Sequence, residues 1–139
     1  MAFDDRTLRK IYDRTNGKCH VCHKKLSFTN YGQGGAKGAW EVEHSIPRAN
    51  GGTDHLNNLF PACIGCNRSK GTHTTRTARS WNDRTRAPFS KEKREQIRRN
   101  NAIGGAVLGG LIGLAINPVA ALCGSVIGAL IGHHANPDA

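Results

Sequence analysis

The sequence predicts an α+β fold: a small core closed by four cysteines, then a basic linker and helix, then an apolar helical hairpin. Three observations predict it. Two Cys-x-x-Cys knuckles, Cys19 with Cys22 and Cys63 with Cys66, bracket a stretch of extended and turn-forming residues. Every Lys and Arg lies at or before Arg99, whereas residues 102–132 contain no charged residue. Within that apolar stretch glycine recurs at every fourth position, at Gly105, Gly109 and Gly113 and again at Gly124, Gly128 and Gly132, which places the glycines on one helical stripe.

The elements follow in order. Asp4 and Asp5 precede Leu8, Ile11, Tyr12 and Thr15 at helical spacing, and Asn16-Gly17 stops this short N-terminal helix. Cys19 to Cys22 forms a tight turn, the glycine-rich segment Tyr31 to Gly38 a loop, and Ala39 to Ile46 an extended piece. Pro47 to Asp54, with Gly51-Gly52, is again loop. Leu56, Leu59 and Phe60 supply apolar anchors, and Pro61 leads into the second cysteine pair. A helix is expected from Asn67, interrupted at Gly71. Residues 72–90 are rich in Thr, Arg and Ser, with Trp81 and Phe89 as isolated anchors, and Ser90 caps a basic helix from Lys91 to Asn101. Asn117-Pro118 divides the apolar stretch into two legs. The expected regions are therefore a core at 1–72, a basic linker and helix at 73–101, the apolar hairpin at 102–132 and a tail at 133–139.

The chain of 139 residues has a formal net charge of +10, and every acidic residue except Asp138 also precedes residue 101. So basic a segment is the electrostatic footprint of phosphate binding, while the uncharged remainder seeks lipid or another apolar face. Met1-Ala2-Phe3-Asp4-Asp5 lacks the basic and apolar regions of a secretory signal, so synthesis and folding in a reducing cytoplasm are expected. There, paired knuckles read as metal ligands rather than disulfides.

Four thiolates, Cys19, Cys22, Cys63 and Cys66, satisfy tetrahedral Zn²⁺ and leave no open coordination position, so this zinc is structural. It joins the start of the fold to the residues before the last core helix, and replaces hydrophobic core that so small a domain cannot build. Four cysteines suffice as ligands, so His20 and His23 are expected to be solvated or phosphate-facing. Cys123, in the apolar stretch, behaves as a small hydrophobe.

Phosphodiester hydrolysis needs an activated water, a group that neutralises charge at the phosphate, and a fixed in-line geometry. His44 suits the general base, because imidazole titrates near neutral pH, and Glu43 and the Asn67 amide oxygen are hard ligands for Mg²⁺ or Mn²⁺. Glu41 shares the face of Glu43; it reads first as an ordinary exposed strand carboxylate, with contact to the metal shell as the alternative. His55, beside Asp54, reads as a local turn or phosphate contact.

Glu43-His44-Ser45-Ile46-Pro47-Arg48, then Gly51-Gly52, Asn58-Leu59 and Cys63-Ile64-Gly65-Cys66-Asn67-Arg68-Ser69-Lys70, together resemble the HNH endonucleases over roughly residues 4–72. The resemblance implies a zinc-stapled ββα-metal nuclease core that acts on DNA. By it, His44 is the base, Glu43 and Asn67 hold the catalytic metal, Asn58 ties the loop to the strand of His44, and Arg48, Arg68 and Lys70 contact phosphate. Glu43 stands where an aspartate is more usual, and Asn67 where the last histidine would be, which is an HNN variant.

Beyond the core, Arg76, Arg79, Arg84 and Arg86 and the basic helix extend a cationic track that offers salt-sensitive affinity without base reading. Little sequence specificity is expected. The hairpin is similar to glycine-zipper segments of membrane-active proteins, including some bacterial toxins. Each leg, at about fifteen residues or roughly 22 Å, is short for a bilayer, so membrane interaction or self-association through the glycine stripes is expected. The leading expectation is an antibacterial DNase effector, made in the bacterial cytoplasm and delivered to target cells or held at a membrane, with an acidic immunity protein as partner. The alternatives are a membrane-permeabilising toxin whose basic domain targets, and a phage or mobile-element nuclease with an oligomerising tail.

Overall fold

A computed structural model describes the backbone of residues 3–116 and the side chains of residues 3–103. The chain divides into two compact units, Met1–Lys91 and Glu92–Ala139.

The first unit opens with α1 (Asp5–Asp13), where Asp4 accepts the Thr7 backbone N–H at 2.8 Å and so satisfies one of the free donors of the first turn. Leu8 and Ile11 form its buried stripe. Two antiparallel strands follow the knuckle and the glycine-rich loop: β1 (Trp40–His44) and β2 (Leu59–Cys63), in register from Trp40 opposite Cys63 to His44 opposite Leu59. Pro61 sits inside β2 without costing a ladder bond. Its carbonyl points away from β1 and accepts from the His20 N–H at 2.9 Å, so the missing N–H also faces the free edge. The knuckle turn thereby extends the sheet on the side of β2.

β2 runs straight into α2 (Ile64–Lys70), which places Cys63 and Cys66 one turn apart and projects Asn67 and Lys70 toward β1. Gly71 ends the helix with φ +49°. The helix begins three residues before the expected Asn67, because the second knuckle itself forms its first turn. Trp40 is fully buried, ringed by Tyr12, Phe28 and Tyr31, and donates from Nε1 to the Phe28 carbonyl. Leu8, Ile11, Val21, Leu26, Leu59, Ala62 and Ala78 complete a small core, with Cys19 at its border with the thiol cluster.

Residues 73–91, expected as linker, belong to this unit. They contain α3 (Thr75–Ser80), capped by Thr74 and anchored by buried Thr75 and Ala78. Short residues at helical spacing are a weak apolar signal in a sequence, and here Ala78 packs where a larger side chain would not be needed.

In the second unit the described element is α4 (Lys91–Ile116), a single helix that passes the expected boundary at residue 101 without a break. No proline or cap intervenes before Asn117-Pro118, and glycines inside a helix weaken it by only about 1 kcal/mol each. The turn of the expected hairpin, its second leg and Cys123 lie outside the described residues. Among the described residues, no helix is long and apolar enough to cross a membrane.

Candidate metal centre and active-site cleft

The four expected zinc ligands come together. The Sγ atoms of Cys19, Cys22, Cys63 and Cys66 all lie within 4.8 Å of one another, and none is in a disulfide. Tetrahedral zinc with Zn–S of about 2.3 Å requires sulfurs about 3.8 Å apart. Cys22 and Cys63 meet that requirement at 3.8 Å. Hydrogen bonds within the cluster lower Cys22 and Cys63 and raise Cys19 and Cys66. Four convergent sulfurs with no other donor among them suggest zinc.

The knuckle delivers a second group that its spacing did not advertise. His20, expected in solvent or at phosphate, is fully buried, with Nε2 2.7 Å from Glu43 Oε2. Arg79 donates from Nε to the His20 carbonyl at 3.0 Å and lies 3.2 Å from Nδ1 through its terminal nitrogen. Nδ1 is therefore the acceptor, and Nε2 carries the proton on the side of the ring that faces Glu43. Burial holds His20 below its ordinary value, which keeps the ring neutral. His23, by contrast, reaches the Arg86 carbonyl through Nε2 at 2.9 Å.

Glu43, expected at the catalytic metal, is 2% exposed and turned inward: Oε1 pairs with Lys70 Nζ at 2.6 Å, and Oε2 lies against His20 Nε2. Burial alone would raise its carboxyl, but His20 and Lys70 outweigh burial and hold it below the usual carboxylate value. Lys70, expected at phosphate, is 1% exposed and also donates to the His44 carbonyl at 3.0 Å. Arg79 is likewise engaged inward rather than offered to a backbone. The reason is common to all three: α2 and α3 close over the strand, so charges on that side must pair with one another.

A different carboxylate reaches the cleft. Glu41 Oε2 accepts from Asn67 Nδ2 at 2.8 Å, and its Oε1 lies 3.5 Å from Arg68. Glu41, His44, Arg48 and Asn67 line one open cleft with Phe3, Tyr31, Gly32 and Val42. Glu41 and Glu43 do share the strand face that the alternation predicts, but α2 covers the farther one. A carboxylate and an amide oxygen offer the hard donors that Mg²⁺ or Mn²⁺ takes.

His44 lies at the end of β1, where its Nε2 is 2.7 Å from Asp54 Oδ1. Arg48 grips the same carboxylate, with NH2 at 2.6 and 2.8 Å from the two oxygens. Hydrogen bonds, from His44 first and then Arg48, keep Asp54 below the ordinary aspartate value. Asn58 fixes the intervening loop: its Oδ1 accepts from the Ile46 N–H at 2.7 Å, and its Nδ2 donates to the carbonyls of Ile46 and Thr53. Gly52 permits this fold-back, since a Cβ there would sit 1.7 Å from the Ile46 carbonyl oxygen. His55 makes a local turn contact with Asn57. Arg48, Arg68 and Arg76 remain exposed cations.

Four convergent thiols, an imidazole at a strand end and hard oxygen donors beside exposed arginines are the groups that metal-assisted hydrolysis of a phosphate ester requires. Residues 19–73 match the family model described as HNH endonuclease. Residues 19–73 thus form an HNH endonuclease-type domain, which supports a metal-dependent nuclease activity; an HNH nuclease would bind DNA. No curated protein and no solved structure matches it.

Sequence reasoning missed Asp54, and weighed Glu41 as an ordinary strand carboxylate. The only sequence signal for Asp54 was its place two residues after Gly51-Gly52, in a loop that must return to His44.

Proposed function

We propose that this domain is a DNA endonuclease of low sequence specificity in which His44 is the general base, Glu41 and Asn67 hold a divalent cation, Asn58 fixes the loop, and Arg48, Arg68 and Arg76 contact phosphates. The observation that carries the reading is the convergence of His44, Glu41, Asn67 and Arg48 on one open cleft in a domain matching a nuclease family. His44 takes the proton of the attacking water. Its position is held through Lys70 on its carbonyl and Asn58 on the adjoining backbone, which receives Ser45 N–H at the Asn58 carbonyl. A divalent cation, when bound, supplies charge neutralisation at the phosphate and the leaving oxygen. The exposed arginines supply backbone affinity without reading bases.

The test is cleavage of supercoiled plasmid by the zinc-loaded full chain with added Mg²⁺ or Mn²⁺. Nicking and linearisation are expected, and His44→Ala should lower the rate by about 10²–10⁴-fold or more with the fold and zinc content intact. Intact plasmid with the wild-type chain under both metals overturns the reading.

The antibacterial effector reading, with an acidic immunity protein and a membrane-acting tail, rests on the uncharged, glycine-striped sequence of residues 102–132. Dye release from liposomes by a peptide of residues 102–139, together with chromosome degradation when the full chain is expressed in bacteria, would support it. Silence in both assays would leave a nuclease with a tail of other purpose.

A further inference from the structure

We propose that Asp54 is the positioning residue of the His44 base: its carboxylate fixes the imidazole in the tautomer whose Nδ1 is free to take a proton. The inference rests on the nuclease reading above and adds a residue to the site.

The geometry is built rather than incidental. Asp54 Oδ1 lies 2.7 Å from His44 Nε2. Arg48 donates to both Asp54 oxygens, at 2.6 and 2.8 Å, and its Nε–H reaches both Asp54 Oδ1 at 3.2 Å and His44 Nε2 at 3.3 Å; the shorter 2.7 Å contact of Nε2 with the carboxylate needs a hydrogen between them, which leaves the Nε–H to Oδ1. A carboxylate so held by a guanidinium is ionised, and an ionised carboxylate can only accept. The hydrogen shared with His44 must therefore sit on Nε2. In a neutral imidazole this leaves the lone pair on Nδ1. The loop around Asp54 is anchored independently of this contact: Asn58 Nδ2 donates to the Thr53 carbonyl at 2.9 Å, and the Gly52 N–H donates to the Pro47 carbonyl at 3.0 Å. Asp54 is thus placed by the backbone rather than drawn to whatever cation is near.

The proton balance is complete. The water oxygen bonds to phosphorus while the bond from phosphorus to the leaving sugar oxygen breaks. That bond pair departs with the sugar oxygen, which takes a proton from solvent water. The attacking water's own proton goes to His44 Nδ1, and the imidazolium that forms finds its charge opposed by Asp54. Asp54 touches none of the reacting atoms and acts through His44. Asp54→Asn keeps the shape but offers an amide that can donate to Nε2, which favours the opposite tautomer. A comparable loss of tautomer control in a Ser-His-Asp hydrolase costs about 10⁴-fold in kcat.

The experiment uses the zinc-loaded full chain and two readouts. The first is the ring ¹⁵N spectrum of His44 at a pH where it is neutral, without added divalent cation. Wild type is expected to show the Nε2–H tautomer, and Asp54→Asn a shift toward Nδ1–H. The second is steady-state plasmid cleavage, where Asp54→Asn should lower kcat by about 10²–10⁴-fold with KM changed only a few-fold, and Asp54→Glu should restore the tautomer and part of kcat. If Asp54→Asn does not fold, Asp54→Glu and the wild-type spectrum carry the test. An Nδ1–H tautomer in wild type overturns the proposal. So does an Asp54→Asn enzyme with undiminished kcat, or one that cleaves faster and binds DNA more tightly, since Asp54 would then merely occupy the phosphate position beside Arg48. A wild-type chain that cleaves nothing overturns the nuclease reading instead, and the spectrum still decides the pairing of Asp54 with His44.

Discussion

Two clusters of the same residue types lie on either side of one strand end, and they are built to opposite specifications. Arg79, His20, Glu43 and Lys70 form a closed chain of contacts between 2.6 and 3.2 Å, with Glu43 and Lys70 at 2% and 1% exposure. Asp54, His44 and Arg48 make contacts as short, yet Arg48 is half exposed and Asp54 about a third. In the first cluster each charge is committed, because no water is present to replace a lost partner. In the second, solvent reaches the Arg48 guanidinium, so Arg48 can turn to a phosphate at little cost while Asp54 stays on His44. Solvent access, rather than residue type, separates the groups that hold the fold from those free to meet a substrate.

The largest expected effect breaks the buried side altogether. Removal of zinc by a strong chelator, or Cys63→Ser, should abolish cooperative unfolding of the nuclease unit, since structural zinc contributes on the order of 10 kcal/mol or more to small domains of this kind. Far-ultraviolet circular dichroism with metal analysis of the purified chain checks this. About one zinc per chain is expected in wild type, and an unchanged melt in the zinc-free protein would show that the cluster is dispensable.

The next effect separates the two carboxylates of β1. Lys70→Met leaves Glu43 charged in the interior with only the neutral His20 ring beside it, and should cost about 3–5 kcal/mol in urea unfolding. Glu41→Gln should leave stability nearly unchanged while sharply reducing cleavage and raising the Mg²⁺ or Mn²⁺ concentration needed for half-maximal rate. Should Glu43→Gln instead give a stable protein with weakened metal dependence, the assignment of the two glutamates reverses.

The smallest effect lies at the rim. Arg76→Ala removes an exposed cation that takes no part in the buried chain, so kcat should hold while DNA affinity falls. The slope of log affinity against log salt should lessen by about 1. An unaltered slope would place the DNA track elsewhere.

Much of the site was legible from residue order alone. The cysteine spacing gave the staple, because a tetrahedral thiolate site makes the same local demands in any fold. His44, Asn58 and Asn67 were legible because they flank structural punctuation: a strand end, a loop closure and the residue after a knuckle. Less legible were the assignments that depend on burial. Glu43 and Lys70 read as cleft residues because strand alternation names a face but not what covers it. His20 read as surface because a knuckle turn does not reveal that β2 will accept its N–H and Arg79 its carbonyl. Residues 73–91 read as linker because α3 docks through Thr75 and Ala78, which carry little apolar signal.

The sequence by itself determined the chemical inventory: two thiol knuckles, an imidazole next to a carboxylate, hard oxygen donors, a cationic track and an uncharged glycine-striped tail. Those follow from side-chain chemistry and spacing, which do not depend on the path of the chain. Only the tertiary structure decided which of two glutamates two residues apart faces the cleft, and that Asp54, ten residues on from His44, returns to hold its imidazole. Both are outcomes of how α2 covers β1 and how Asn58 and Gly52 fold the loop back, contacts between residues whose separation along the chain leaves no periodic trace.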